Sequence, residues 1–133
     1  MKHFPLLSIS SVCCAVSLML VAEAGQYKDY KVLVDLEDRV VQGAFQNARL
    51  DPNSRVMLSC QSSVSYPSDA TALLYGVCLA RDADDNFAQC TTYNTQLIER
   101  IQNIDMRGAV RFAYDENGNC TTLETGVYSA LLP

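Results

Sequence analysis

Apolar and polar residues follow their clearest pattern between Ser54 and Tyr93. In the stretch 55–64, Val56, Leu58, Cys60 and Val64 share one parity, and Arg55, Ser59, Gln61 and Ser63 the other, with Met57 the exception. Period two is the signature of a half-buried strand. The next run, 70–82, is apolar at both parities. Leu73, Tyr75, Val77 and Leu79 point one way, and Ala72, Leu74, Gly76, Cys78 and Ala80 the other. Such a strand is expected in mid-sheet with both faces covered. A third run, Asn86 to Tyr93, follows. Tyr66-Pro67-Ser68-Asp69 and the Asp82–Asn86 stretch separate the three runs with turn-forming residues. The pattern predicts a three-stranded antiparallel meander.

Beyond Tyr93 the period lengthens. Asn94 offers an oxygen to cap a first helical turn, and Leu97, Ile98, Ile101 and Ile104 recur at helical spacing. Arg107-Gly108 supplies a stop signal, so a helix is expected over about 95–105, its apolar stripe laid on the sheet. Residues 108–115 and 120–128 flank Asn117-Gly118, a pair suited to the positive φ of a tight hairpin turn.

Upstream of the meander, the opening stretch 25–36 reads as polar, aromatic and loosely held, and 31–38 alternates in part. The segment 39–49 is ambiguous. Leu36, Val40, Ala44 and Ala48 recur every four residues, whereas Val41, Gly43 and Phe45 suit a strand. A hairpin from 39–49 into 55–64 through Asp51-Pro52-Asn53-Ser54 is favoured. The fold class that emerges is α+β: a mostly antiparallel sheet of five or six strands (meander plus C-terminal hairpin), with one helix packed on one face and two disulfides.

The N-terminus changes this picture by shortening the folding unit. Met1-Lys2-His3, an apolar run to Val21 and the exit Ala22-Glu23-Ala24 have the layout of a secretory signal peptide. Cleavage after Ala24 is expected to leave residues 25–133 as one small domain, secreted or periplasmic, with no stable membrane span. Net charge is −5, and the basic residues are scattered. That argues against nucleic acid, which demands clustered Lys and Arg.

Four of the six cysteines, Cys60, Cys78, Cys90 and Cys120, lie outside the expected signal. They contain no C-x-x-C pair of the zinc type, and exported compartments are oxidising, so two disulfides are expected. Cys60 and Cys78 are symmetric about one turn, and Cys78 and Cys90 about the next. Cys60 and Cys90 then sit two strands apart, about 9–10 Å, which is too far to bridge. Two connectivities remain: Cys60–Cys78 with Cys90–Cys120, which is favoured, and Cys78–Cys90 with Cys60–Cys120.

Candidate chemistry is sparse. The single histidine is His3, inside the expected signal, so a mature chain would have no Ser-His-Asp or Cys-His catalysis and no histidine switch. Asp82, Asp84 and Asn86, and likewise Asp115, Asn117 and Asn119, alternate oxygen side chains as calcium loops do. Neither set completes an EF-hand, and both fall where turns are expected. Asp84, Asp85, Asp115 and Glu116 are the carboxylates open to a paired-carboxylate hydrolase. Asn119-Cys120-Thr121 fits an N-glycosylation acceptor. Tyr27, Tyr30, Tyr66, Tyr75, Tyr93, Tyr114 and Tyr128 read mainly as caps on the core, or else as part of a sheet or loop binding surface. No cofactor or resident metal is expected. The expected role is a small exported binding protein whose partner is a protein or envelope component. A self-assembling envelope component comes second and a carboxylate hydrolase third.

Overall fold

The structure is a computed structural model, and it describes residues 30–68 and 71–127. The expected signal, Tyr27, Tyr128 and the C-terminal tail lie outside the described residues. Among the described residues, seven strands and two helices follow in order: β1 (Leu33–Asp35), β2 (Val40–Ala44), α1 (Phe45–Leu50), β3 (Met57–Ser65), β4 (Leu73–Arg81), β5 (Phe87–Thr92), α2 (Thr95–Gln102), β6 (Ala109–Tyr114) and β7 (Cys120–Gly126). The class is α+β, with one main helix and disulfides Cys60–Cys78 and Cys90–Cys120.

The strands divide between two antiparallel sheets rather than forming one. The first has the order β1-β2-β6-β7, and the second is the meander β3-β4-β5. The C-terminal hairpin thus becomes part of a sheet of its own, built on the upstream segment. That segment corrects the expectation for 39–49. Its first half is a strand and its second half a helix, and the strand pairs with β1 and β6, not with β3. The two local signals conflict because both sets, Leu36, Val40, Ala44 and Ala48 at helical spacing and Val41, Gly43 and Phe45 at strand spacing, run across the junction between Ala44 and Phe45. Val32 and Val34 are buried, so the stretch leading into β1 is firmly packed rather than loose from that point on.

One core joins the two sheets. In the first sheet, register places Val34, Val41, Phe112 and Leu123 in a single inward row across all four strands. These residues share a cluster with Cys78, Ala80, Ala88 and Cys90 from the second sheet. Removing such rows from water is the main favourable term of folding. Gly43 allows β2 to come close to the N-terminal strand, since a Cβ there would lie 3.0 Å from the Val32 Cα.

α2 starts as its sequence dictates. The Asn94 side chain accepts from the amides of Gln96 at 2.9 Å and Leu97 at 3.2 Å, satisfying two of the first-turn donors. The buried Ile98 and Ile101 face the inner side of the meander, where a Cβ on Gly76 would come within 2.6 Å of Ile101 Cδ1. The helix ends at Gln102, earlier than 105, because Asn103 leaves helical geometry. Gly108 is not its cap. It lies against β7, where a Cβ would meet the Gly126 oxygen at 2.6 Å.

A second correction concerns β4. It is the middle strand of its sheet, yet only Gly76, Cys78 and Ala80 are buried, while Tyr75, Val77 and Leu79 on the other side are half-buried. The meander is therefore covered on one face and open on the other.

Candidate functional site

The open face of the meander follows directly from the pairing register. Residues directly opposite one another share a face. The register aligns Gln61, Val77 and Thr91 in one outward row, and Ser59, Leu79 and Gln89 in the next. Met57, Arg81 and Phe87 close one end, and Ser63 with Tyr75 lies toward the other. An aliphatic and aromatic stripe on β4 is thus flanked by hydroxyl and amide side chains on β3 and β5.

Aromatic groups sit at both ends of this stripe. The rings of Tyr75 and Tyr93 lie 6.4 Å apart and tilted by 49°, a spacing at which aromatic pairs attract. At the other end the Arg81 guanidinium lies 5.5 Å from the centroid of the Phe87 ring, within cation–π range. Arg81 alone among these outward residues is charged, and it faces Asp85 at 3.7 Å. In a chain of net charge −5, a sheet face with its one cation opposed by a carboxylate is electrostatically quiet.

The tyrosines thus serve both roles weighed from the sequence. Tyr30 packs on Ala44 and Ala109, and Tyr114 on the main core. Tyr75 and Tyr93 belong to the open face, and Tyr66 is exposed beyond the end of β3.

The six candidate calcium residues are brought together as two copies of one turn. In the first, the Asp82 Oδ1 accepts from the amides of Asp84 and Asn86, both at 3.0 Å, while Oδ2 accepts from the Asn86 Nδ2 at 3.1 Å. In the second, the Asp115 Oδ1 accepts from the amides of Asn117 at 2.9 Å and Asn119 at 2.8 Å, and Oδ2 accepts from the Asn119 Nδ2 at 2.9 Å. The fourth residue of each turn has a left-handed backbone, Asp85 at φ 70 and Gly118 at φ 78. In both turns the leading carboxylate faces amide hydrogens, the arrangement a tight turn requires. Among the described residues, no three His, Cys, Asp or Glu side chains are grouped to hold a metal ion.

The turns differ in their surroundings. Asp82 is only 5% exposed, and its Oδ2 also accepts from the Val34 amide at 3.2 Å. A hollow of about 440 Å³ beside it is lined by Asp35, Glu37, Asp84 and Asn86. Asp115 is exposed. Hydrogen bonds from Asn119 and Asn117, with the positive field of Arg39, hold its carboxyl below the ordinary value of 3.8. The Arg107 side chain and amide do the same for Asp105.

A depressed folded pKa contributes stability that is fully present above the unfolded value and is lost as pH falls through the folded one. Wild type should therefore be more stable than Asp115→Asn at pH 6. The difference should shrink below pH 3.8. Thermal melts of both proteins from pH 6 to pH 2 test this; a difference independent of pH would rule it out.

The hydrolase carboxylates fall on these same two turns. Asp85 is paired with Arg55 at 3.1 Å, and Asp115 is held by its own turn. Asn119 of the glycosylation pattern donates its side-chain amide to Asp115, and Cys120 is bridged to Cys90. A polar groove of about 610 Å³ runs between α2 and β7, lined by Gln96, Arg100, Asn103, Thr122 and Thr125 among others. The sequence alone did not point to this groove, because its walls come from segments far apart in the chain.

Two disulfides, and no helix among the described residues long and apolar enough to cross a membrane, are compatible with an extracellular or periplasmic protein. The chain matches no known family model, no curated protein and no solved structure.

Proposed function

We propose that this is a small exported, non-catalytic binding protein that engages a protein or envelope component through the open face of the β3-β4-β5 meander. The observation that carries the reading is the half-buried stripe Tyr75, Val77 and Leu79, flanked by the hydroxyl and amide side chains of Ser59, Gln61, Gln89 and Thr91. Core-like apolar centres with polar rims and few charges are characteristic of protein recognition surfaces. Two disulfides in a small domain fit export, as does the signal-like N-terminus.

The test is a native mass spectrum of the protein exported from its own host, alongside Val77→Lys and Leu79→Lys. These outward substitutions should shift stability by less than about 1 kcal/mol. Wild type is expected to carry a partner that both variants lose. Variants that keep the partner would move the site elsewhere.

Self-assembly is the second reading, and β3 favours it. β3 ends its sheet and contains neither proline nor any charged residue from Met57 to Ser65, so two of the usual guards against edge pairing are missing from it. Sedimentation separates the two readings. Concentration-dependent oligomers abolished by Val64→Pro, at an exposed position whose amide faces the free edge, would favour assembly over a foreign partner.

A further inference from the structure

The four bridged cysteines stand in one row. Register sets Cys60 opposite Cys78, and Cys78 opposite Cys90. A parallel bridge from Thr91 to Asn119 puts Cys120 on the far side of β5. The bonds join the first pair and the last pair, Cys60–Cys78 and Cys90–Cys120. The two middle cysteines are each 1% exposed, whereas the two outer ones are half-buried.

Geometry permits a third bond between the middle pair. The Cα atoms of Cys60 and Cys78 are 4.1 Å apart, which marks a non-hydrogen-bonded pair. The Cys78 amide and carbonyl therefore turn toward β5. Cys78 and Cys90 then form a hydrogen-bonded pair, with Cα atoms about 5.5 Å apart, inside the range a disulfide spans. Cys120 lies beyond β5 from Cys78, its Cα 5.0 Å from that of Cys90, so a nucleophile arriving from Cys78 reaches Cys90 from the side away from its leaving group.

We propose that this row is a two-electron exchange relay, in which reduction at Cys60 is delivered as a free thiol at Cys120. A thiolate of an external dithiol attacks the accessible Cys60 sulfur, forming a mixed disulfide and expelling Cys78 as thiolate. That thiolate attacks the Cys90 sulfur, forming Cys78–Cys90. The electron pair of the Cys90–Cys120 bond leaves on Cys120, which takes a proton from water. The second thiol of the dithiol then releases Cys60 and leaves as an intramolecular disulfide. One dithiol is oxidised, one protein disulfide is reduced, and the surviving bond is the central one. The direction follows from burial. A thiolate is poorly stabilised at the buried Cys78 and better stabilised at the half-exposed Cys120.

The test is partial reduction of the native protein with limiting dithiothreitol, followed by acid quench, alkylation and tryptic mapping without further reduction. Cleavage at Arg55, Arg81, Arg100 and Arg111 separates residues 56–81, 82–100 and 112–133. Native protein has 82–100 joined to 112–133. The two-thiol species is expected to have 56–81 joined to 82–100, with label on Cys60 and Cys120. Label on Cys60 and Cys78, or on Cys90 and Cys120, would overturn the relay, as would passage to four thiols with no two-thiol species. In Cys60→Ser, the remaining thiol should be found mainly at Cys120; a thiol retained at Cys78 would also overturn it. Should that variant not fold, the wild-type mapping decides alone.

Discussion

Truncation of Phe112 to alanine should lower the free energy of unfolding by about 3–5 kcal/mol, the usual loss for a fully buried phenylalanine. Phe112 is 0% exposed. It lies in β6, between Val41 of β2 and Leu123 of β7 in the inward row. Both neighbours are anchored in hydrogen-bonded ladders, so they have little freedom to close the space the ring leaves. The predicted loss is a large part of the about 5–15 kcal/mol that holds a domain of this kind together. Both disulfides persist in the unfolded chain, so they do not alter the difference between variant and wild type. Urea denaturation without reductant is the measurement, with Val40→Ala as the comparison. Val40 lies on the opposite face of β2 and is half-buried, so its truncation should lose less than about 1 kcal/mol. A Phe112→Ala loss below about 1.5 kcal/mol, well under the usual range, would mean that the inward row is not the centre of the core.

The meander was legible because its signals are local. Period two in β3, the turn residues at 66–68 and 82–86, and the symmetry of Cys60, Cys78 and Cys90 about those turns lie within about forty residues and require no distant partner. They were enough to give the strand order and to exclude Cys60–Cys90; of the two pairings left open, the favoured one is observed. β2 shows what such signals omit. Its partner β6 begins at Ala109, with Gly43 opposite Val110, and nothing between residues 39 and 49 encodes that choice. The break at Ala44 and Phe45 also placed half a strand and half a helix inside one window. Both periods run across that break, and a short apolar segment cannot settle between them.

The open face was partly visible as well. The two apolar parities of β4 suggested a strand covered on both sides, but the flanking strands disagreed. Ser59, Gln61 and Ser63 on β3, and Gln89 and Thr91 on β5, align with the outward parity of β4. Projecting them across the two turns would have shown a polar rim on that side. The Asp-x-x-x-Asn repeat at 82–86 and 115–119 was likewise visible in the sequence. Its spacing suggests alternating oxygen ligands, whereas the structure shows a leading carboxylate that organises a turn, with a left-handed residue at the fourth position.

That repeat supplies an internal comparison, because one turn is buried and the other is not. Asp82→Ala should cost about 2–4 kcal/mol. It removes the acceptor for the amides of Val34, Asp84 and Asn86, and hydrogen bonds to charged groups contribute about 1.5–3 kcal/mol, with a further penalty for any buried donor left unpaired. The Val34 amide is the decisive one. It belongs to β1, 48 residues away in sequence, so Asp82 ties the edge of the first sheet to the turn between β4 and β5. Asp115→Ala removes the same turn contacts at an exposed hairpin tip, where water replaces the lost acceptor, and should cost clearly less. Chemical denaturation at pH 7 ranks the two, and amide hydrogen exchange locates the damage. In Asp82→Ala, protection should fall at Val34 as well as at Asp84 and Asn86. In Asp115→Ala it should fall only around Asn117 and Asn119. Equal losses for the two variants would mean that the turn itself, rather than its link to β1, is what the buried carboxylate stabilises.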